Sequence, residues 1–313
     1  MILSASRRTD IPNYYSDWFF NRLQEGFLYV RNPMNAHQIS KIDLSPDVID
    51  CIVFWTKNPR NMMNRLEELQ GYDYYFQFSI TGYGKDVEPN IPDKKEVIIP
   101  TFVELSKQIE KKVIWRYDPI LLSERYTIEY HLKAFEVIAS KLSGYTERVI
   151  ISFVDLYTKT QRNTADLKIQ EITKEKMIEL ANRMAEVAKK YSLIIETCAE
   201  EIELEAVGVQ HGSCIDKKLI EEIIDCKLTV GKDKNQRDEC GCYASVEIGT
   251  YNTCLNGCRY CYANFSESRV EENIKFYDPN SPLLCGVEGE CDKITERKVE
   301  TLKDIQRSLF DAL

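Results

Sequence analysis

Long apolar runs, a basic excess and histidine are what this sequence has least of. No stretch approaches the roughly 18–20 uninterrupted apolar residues of a membrane span, and the N-terminus lacks the apolar segment of a secretion signal. The net charge is −9, with 50 acidic and 41 basic residues, which disfavours a broad electrostatic surface for nucleic acid. The three histidines form no motif. We therefore predict a cytoplasmic protein without membrane contact or a nucleic-acid partner.

Cysteine, by contrast, is abundant. The chain has 11 cysteines in 313 residues, and most of them follow residue 204. Disulfides are rare in a reducing cytoplasm, so metal binding explains this number better than cross-linking does. No internal repeat or low-complexity run interrupts the chain.

Short apolar segments that end in polar residues recur through the first two thirds of the chain. Six of them are predicted to be strands, at 2–10, 51–58, 75–83, 113–119, 149–157 and 193–200. Helix-like segments with apolar residues at helical spacing lie between them, at 14–25, 100–112, 128–142 and 174–191, the last with Thr173 as its N-cap. This alternation predicts an α/β fold: a TIM-like parallel (β/α) barrel, partial with six units, or eight-stranded if the C-terminal part adds two.

The chain is predicted to have two parts that pack as one unit. Residues 1–203 form the (β/α) barrel. Residues 204–313 form a cysteine-rich segment that closes the barrel mouth and ends in a helix over 294–313.

Charged residues mark the predicted strand ends, where parallel barrels carry their chemistry. The candidates for substrate binding or catalysis are Arg7, Arg8, Asp10, Lys57, Arg116, Asp118 and Asp155. The arginines suit a carboxylate or phosphate, which guanidinium binds bidentately, and the lysine suits an anion. The alternative is that the arginines pair with the aspartates. Glu196 and Glu200 are candidates for binding a cofactor amine or ribose hydroxyls, or for carrying protons.

The most informative motif is Cys254-Leu-Asn-Gly-Cys258-Arg-Tyr-Cys261, with C-x3-C-x2-C spacing. Three thiolates can hold three irons of a [4Fe–4S] cluster and leave the fourth without a protein ligand. Such an open position distinguishes a reactive site from a structural one. The alternative is a zinc knuckle completed by Cys240 or Cys242.

A second group of thiols comprises Cys198, Cys214, Cys240 and Cys242. Four thiolates would complete a closed second [4Fe–4S] cluster or a structural zinc site. The alternative is that Cys240 and Cys242 support the loop of the first cluster while the other two are buried as small apolar residues.

The C-x3-C-x2-C motif resembles the cluster motif of the radical S-adenosylmethionine (SAM) superfamily. That resemblance implies that SAM binds the fourth iron, and that Tyr260 packs near its adenine. The segments SASRRTDIP, FWTKNP and WRYDP, with the Cys-Gly-Cys and C-x3-C-x2-C ending, resemble a microbial family of unknown function. This wider resemblance implies a barrel and an iron–sulfur site. In ordinary radical SAM enzymes the three cysteines follow the first barrel strand, whereas here they lie near the C-terminus.

The expected function is that of a radical SAM-like enzyme with one or two [4Fe–4S] clusters. It would cleave SAM to a 5′-deoxyadenosyl radical that abstracts hydrogen from a small polar substrate, with electrons from a flavodoxin- or ferredoxin-like donor. The alternatives are an iron–sulfur electron carrier or redox sensor that does not use SAM, and a zinc-stabilised binding protein.

Overall fold

The computed structural model describes residues 1–110 and 112–304, which form two sheets flanked by helices. The strands are β1 Ile2–Ala5, β2 Phe27–Arg31, β3 Gln38–Asp43, β4 Cys51–Thr56, β5 Tyr74–Ser79, β6 Val113–Ile120, β7 Arg148–Phe153, β8 Ile194–Thr197, β9 Gln210–His211, β10 Val246–Glu247 and β11 Lys293–Glu296. The helices are α1 Ile11–Tyr14, α2 Ser16–Glu25, α3 Arg60–Met63, α4 Ile99–Ile109, α5 Ile128–Leu142, α6 Thr158–Asn163, α7 Lys174–Lys190, α8 Lys217–Ile224 and α9 Glu267–Ile274.

The central sheet has eight parallel strands in the order β10-β1-β4-β5-β6-β7-β8-β9. After β1, the strands β4, β5, β6, β7, β8 and β9 follow one another across the sheet in chain order. Each therefore lies on the same side of the strand before it, as expected when every crossover connection has the same hand. All eight carboxyl ends therefore lie along one edge, which we call the carboxyl edge. The α/β class and the six predicted strands are confirmed.

Of the two predicted sizes, eight strands is confirmed and six is too low, because the cysteine-rich segment adds β9 and β10 at the two ends of the sheet. Each of these strands has only two residues, too few for an alternating or apolar pattern to be visible in the sequence. The segment after residue 204 is thus part of the sheet that the first part of the chain begins.

The two faces of the sheet bury different sets of side chains. On the helix face, residues such as Phe54, Phe76 and Trp115 pack in the main core. On the opposite face, which we call the cysteine face, the alternate residues Val53, Tyr75, Ile114 and Ile150, among others, pack against Cys214, Cys240 and Cys242. Because both faces are covered, the strands carry apolar residues on both faces, as is typical of parallel sheets.

The predicted helices are confirmed with small changes in their ends. α5 spans the predicted residues, and Thr173 caps α7 by accepting a hydrogen bond from the backbone N–H of Lys176. Leu180 and Met184 are buried on one face of α7, as the helical spacing predicts. Within the part of the chain that the structure describes, the helices are too short or too polar to cross a membrane.

A second sheet, in the order β11-β3-β2, was not predicted. β2 and β3 form an antiparallel pair inserted between α2 and β4, and β11 pairs in parallel with β3. The helix predicted over 294–313 is wrong in its described part, because residues 293–296 form β11 and residues 297–304 are not helical. The rest of that prediction, at 305–313, lies outside the described residues. The β-branched pair Ile294-Thr295 favours a strand over a helix.

His131 of α5 is fully buried and predicts a pH dependence of stability. Its Nε2 lies 2.8 Å from the carbonyl oxygen of Leu121 and its Nδ1 lies 2.9 Å from the Tyr117 hydroxyl. Burial lowers the pKa of His131 from 6.5 to about 4. Between these values the unfolded chain binds a proton that the folded chain does not, so stability falls as the pH drops from about 6.5 to about 4.

We expect this term to reach about 3 kcal/mol and to be absent in His131→Asn, which has no titrating ring. The measurement is chemical denaturation at several pH values between 4 and 7, with His37→Asn as the control because the His37 side chain is 71% exposed. Equal pH slopes for His131→Asn and the parent protein would contradict the prediction.

Candidate functional site

The three clustered cysteines lie in a loop that leaves the central sheet directly after an edge strand. β10 ends at Glu247, and residues 248–263, which we call the cysteine loop, carry Cys254, Cys258 and Cys261. Because β10 pairs in parallel with β1, the cysteine loop starts at the carboxyl edge, as do the loops that follow β1, β4 and β5. All three thiols are partly buried.

Asp10 joins the cysteine loop to two neighbouring segments. Its carboxylate accepts hydrogen bonds from the Lys57 backbone N–H at 2.8 Å and from the Asn256 side-chain amide at 2.9 Å. It also accepts one from the backbone N–H of Asn13 at 3.2 Å, as the N-cap of α1. Burial raises the pKa of Asp10. With these partners, the geometry of Asp10 suits an anchor of the loop.

Glu247 and Gly249 position the start of the loop against β1. The Glu247 carboxylate accepts hydrogen bonds from the Ser4 hydroxyl at 2.8 Å and from the backbone N–H groups of Arg7 at 3.0 Å and Gly249 at 2.8 Å. A Cβ atom at Gly249 would lie 1.8 Å from the Ser6 Oγ and 2.6 Å from the Ser6 Cβ. The loop can approach β1 this closely only because residue 249 has no side chain.

We therefore expect Gly249→Ala to destabilise the fold by about 2 kcal/mol, since the added methyl group overpacks a buried contact. Adding Ser6→Gly should return part of this loss, because it removes the side chain that the methyl group meets. Gly231→Ala is the matched control, as no atom lies within 4 Å of a Cβ there. Urea denaturation gives the free energies of unfolding, and equal effects at residues 231 and 249 would contradict the prediction.

The middle of the cysteine loop is held by the segment after β5. The Asn90 side-chain amide donates to the carbonyl of Leu255 at 2.8 Å, and the Arg259 backbone N–H donates to the carbonyl of Val87 at 3.0 Å. Gly257 has a φ of 66°, in the left-handed region that favours glycine. The loop is thus fixed from more than one side, which restricts the positions of its sulfur atoms.

The three thiols of the loop interact through charge. Burial, followed by the charges of Asp10, Cys261 and Cys258, raises the pKa of Cys254. Burial also raises the pKa of Cys258 to about 12, although the positive charge of Lys57 opposes this. Without a further cation, three thiolates in this space would repel one another, so a bound metal centre is what would allow all three to ionise.

A buried carboxylate, Glu88, organises the polar groups beside the cysteine loop. It accepts hydrogen bonds from the Lys57 ammonium at 2.8 Å, from the Thr81 hydroxyl at 2.8 Å, and from Lys94 and Tyr260. Burial opposes its ionisation, but the two lysines outweigh burial and lower the pKa of Glu88 to about 2. Tyr260, predicted to lie near an adenine, therefore has its hydroxyl bound to Glu88 and its ring 5.9 Å from that of Tyr83.

The four thiols of the second predicted group meet on the cysteine face. Cys198 follows β8, Cys214 follows β9, and Cys240 and Cys242 precede β10. The sulfur atoms of Cys198 and Cys214 are 2.9 Å apart, and the Cys242 sulfur accepts a hydrogen bond from the backbone N–H of Ile215 at 3.4 Å and interacts with the other three thiols. The interactions with these thiols lower the pKa of Cys242.

Two predicted arginines lie beside this group. Arg116 donates to the sulfur of Cys214 at 2.7 Å and forms a bidentate pair with Asp118 at 3.0 and 2.6 Å. Arg7 has a buried Nη2 atom without a hydrogen-bond partner among the described residues. Its charge acts on Cys242 and Cys214. The predicted pairing of Arg116 is seen with Asp118, whereas Arg7 retains a free donor.

Arg8 and Asp155 contact groups at the carboxyl edge. Arg8 donates to the carbonyl of Gly249 at 3.3 Å, and its guanidinium lies 4.6 Å from the ring centroid of Tyr251. Asp155 forms an ion pair with Arg237 at 2.9 Å. Both residues support loops from the cysteine-rich segment.

Glu196 and Glu200, predicted to bind a cofactor, have different surroundings. Both oxygens of Glu196 accept hydrogen bonds from Arg148 at 2.8 Å, so its charge is already compensated. Glu200 accepts one from the backbone N–H of Phe153 at 2.8 Å. Burial, together with the charge of Asp155, raises the pKa of Glu200 to about 7. A carboxyl group with this pKa exchanges protons near neutral pH.

Sequence reasoning missed Glu88, Lys94, Asn256 and Arg148. Glu88 and Lys94 lie in a polar segment after β5 that has no regular spacing. The contact between Tyr260 and Glu88 joins residues 172 positions apart. Of the residues predicted from the sequence, Lys57 and Tyr260 belong to the group around Glu88.

Neither cysteine group has ready-made metal geometry. Within residues 1–110 and 112–304, no three or more His, Cys, Asp or Glu side chains are already spaced to hold a metal ion. In the second group, two of the sulfurs touch each other rather than facing an open centre. The donor set, with thiols held by surrounding loops, nevertheless suits a soft or borderline metal.

The chain matches the pattern of a protein family over most of its length and a solved structure only distantly. A crystal structure of a putative alpha-L-fucosidase from Bacteroides thetaiotaomicron matches 62% of this chain and 72% of its own, at 11% identity and a TM-score of 0.25. No curated protein sequence matches the chain. The pattern of the family described as "Domain of unknown function (DUF1848)" matches residues 2–263, which include the central sheet and both cysteine groups. Because this match spans most of the sequence, the chain belongs to the DUF1848 family.

Proposed function

We propose that this protein is a radical SAM-like iron–sulfur enzyme with its cluster on Cys254, Cys258 and Cys261. The observation that carries the proposal is the place of the cysteine loop. It follows a strand of the parallel sheet, β10, and lies at the carboxyl edge, where ligands bind in α/β folds. In ordinary radical SAM enzymes the three cysteines follow the first strand. Here the motif lies far from the N-terminus in sequence, but it would still lie beside the first strand, because β10 pairs directly with β1.

The donor set fits a [4Fe–4S] cluster with one open iron. The loop provides three thiols, and the carboxylates that act on them are already bound elsewhere. Asp10 accepts three hydrogen bonds, and Glu88 is paired with Lys57 and Lys94. A fourth iron would therefore be free for the amino and carboxylate groups of SAM.

When bound and reduced, such a cluster supplies one electron that splits SAM into methionine and a 5′-deoxyadenosyl radical. The chain itself would hold the cluster through its three thiols and would set the local charge. Lys57 and Lys94 together exceed the charge of Glu88 by one positive unit, and this favours added negative charge near Cys258. The electron would come from an external flavodoxin- or ferredoxin-like donor.

We also propose that the central sheet curls into a partial barrel around the cysteine face. Side chains from β1, β4, β5, β6 and β7 enter one cluster on that face. Gln77 of β5 donates at 3.0 Å to the carbonyl of Cys214, which lies beyond β9 at one end of the sheet. A contact between the middle and the end of the sheet favours curvature over a flat arrangement.

A small polar or anionic substrate fits the groups at the carboxyl edge. The unpartnered Nη2 of Arg7 would bind a carboxylate or phosphate, and Glu200 would hold or release a proton near pH 7. The free donor of Arg7 indicates an anionic group on the compound.

Electron paramagnetic resonance tests the proposal on protein reconstituted anaerobically with iron and sulfide, then reduced. We expect a [4Fe–4S] signal that changes shape when SAM is added. A [4Fe–4S] signal that does not change when SAM is added would favour the function of an electron carrier or redox sensor. Zinc without sulfide would leave a zinc-stabilised binding protein.

A further inference from the structure

The second cysteine group brings thiols from both ends of the central sheet to one point. Cys198 and Cys214 follow β8 and β9 at one end, whereas Cys240 and Cys242 lead into β10 at the other. Three of the four residues are at most 5% exposed. Free thiols can be buried singly as small apolar groups, but four that lie in one cluster, with two sulfurs in contact, are a donor set.

The spacing of the sulfurs decides what this donor set can hold. The Cys198 and Cys214 sulfurs are 2.9 Å apart, and interactions with the other three thiols lower the pKa of Cys242. Four sulfurs at 2.3 Å from a tetrahedral zinc ion are about 3.8 Å apart, so they would need to separate by about 1 Å. A four-iron cube requires far more space between its thiolates, because the cube itself must lie between them.

Two arginines, Arg7 and Arg116, place positive charge beside the second cysteine group, where it would balance four thiolates on a divalent ion. Such a centre carries a net charge of −2. Arg116 donates to the Cys214 sulfur at 2.7 Å, and the charge of Arg7 also acts on Cys214 and Cys242. The backbone N–H of Ile215 donates to the Cys242 sulfur at 3.4 Å. Hydrogen bonds to ligating sulfurs are a usual part of the surroundings of a metal site.

We propose that Cys198, Cys214, Cys240 and Cys242 bind one tetrahedral metal ion, zinc by preference, without inorganic sulfide. Each ligating thiol releases its proton to solvent when the ion binds. The closed S4 coordination leaves no open position, so the role of the ion is structural. It ties the β9 end of the sheet to the segment that enters β10, and so supports the start of the cysteine loop.

This second site is independent of the proposed radical SAM function, and the experiment separates the two. The protein is a variant in which Cys254, Cys258 and Cys261 are all alanine, so that any metal it retains belongs to the second group. Elemental analysis and sulfide assay are made on the purified chain, and the metal-free chain is titrated with Co²⁺ alone. We expect one metal ion per chain, no sulfide, and the strong thiolate-to-cobalt charge-transfer absorption of an S4 site.

Adding Cys214→Ser to that variant should reduce the metal content and the cobalt absorption more than tenfold, whereas adding Cys226→Ser should change neither. Cys226 is a suitable control because it is partly exposed and hydrogen-bonds to the Lys227 carbonyl instead. The cobalt titration of the parent variant keeps the test valid if Cys214→Ser fails to fold. Four irons with four sulfides per chain, or no metal at all, would overturn the proposal.

Discussion

Replacement of Cys258 with alanine is expected to abolish the SAM-responsive cluster. Cys258 is the central thiol of the cysteine loop and the one on which the Lys57 charge acts. With two thiols left, the chain cannot hold three irons of the cube. Changes to groups that merely support metal ligands already cost roughly tenfold or more in affinity, so loss of a ligand should exceed that. The measurements are iron and sulfide content and the resonance signal with and without SAM.

Cys226→Ala provides the control for this experiment, because Cys226 follows α8 and is not in either cysteine group. It should keep both the cluster and the response to SAM. Any zinc in the second group should be unchanged in Cys258→Ala, which shows that the fold is intact. If Cys258→Ala kept the same iron and sulfide content as the parent protein, the assignment of the cluster to this loop would be wrong.

Replacement of Glu88 with glutamine is expected to cause the largest loss of stability near the site. Glutamine keeps the shape of the side chain but removes the charge that balances Lys57 and Lys94, which are 13% and 19% exposed. Breaking a buried pair leaves uncompensated charge, and we expect a cost of about 3 kcal/mol after allowing for this partial exposure. Since Tyr260 also donates to Glu88, the cysteine loop should loosen with it.

The matched control is Glu96→Gln, because Glu96 is an exposed carboxylate that pairs with the exposed Lys95. Its cost should be below about 1 kcal/mol, as for other surface pairs. A second variant, Glu88→Gln with Lys94→Met, should regain part of the loss by removing one of the unbalanced charges. Urea denaturation measures all three, and a Glu88→Gln protein as stable as Glu96→Gln would contradict the account of the cluster.

The strands and helices of the first two thirds of the chain could be predicted from the sequence, because their patterns lie within single segments. The strands that start at Cys51 and Val113 open with uninterrupted apolar runs, at 51–55 and 113–115, as is typical of strands buried on both faces. The α5 and α7 stretches carry apolar residues at helical spacing together with N-cap threonines. The hairpin of β2 and β3 was missed although its strands are neighbours in sequence, and β9 has only two residues. β10 and β11 were missed because they pair with β1 and β3 at the other end of the chain.

Both cysteine groups were also identifiable from the sequence, by the number and spacing of their thiols. The kind of metal centre that each group would bind could not be predicted as well, because it depends on distances between sulfur atoms from different segments. The contact of the Cys198 and Cys214 sulfurs argues for a single ion at the second group, whereas the sequence left a cluster and zinc open. Similarly, the sequence grouped Asp10 with the catalytic candidates, but its burial among three donors suits it to hold the loop.

The sequence by itself determined the α/β class, six of the parallel strands and the likeness to a family of unknown function. These follow from local periodicity and from motifs of a few residues. Only the tertiary structure decided that the cysteine loop lies beside β1, that Glu88 balances two lysines, and that four distant thiols meet. Each of these depends on which side chains face one another after the sheet has assembled, and a buried charge or thiol finds its partner only then.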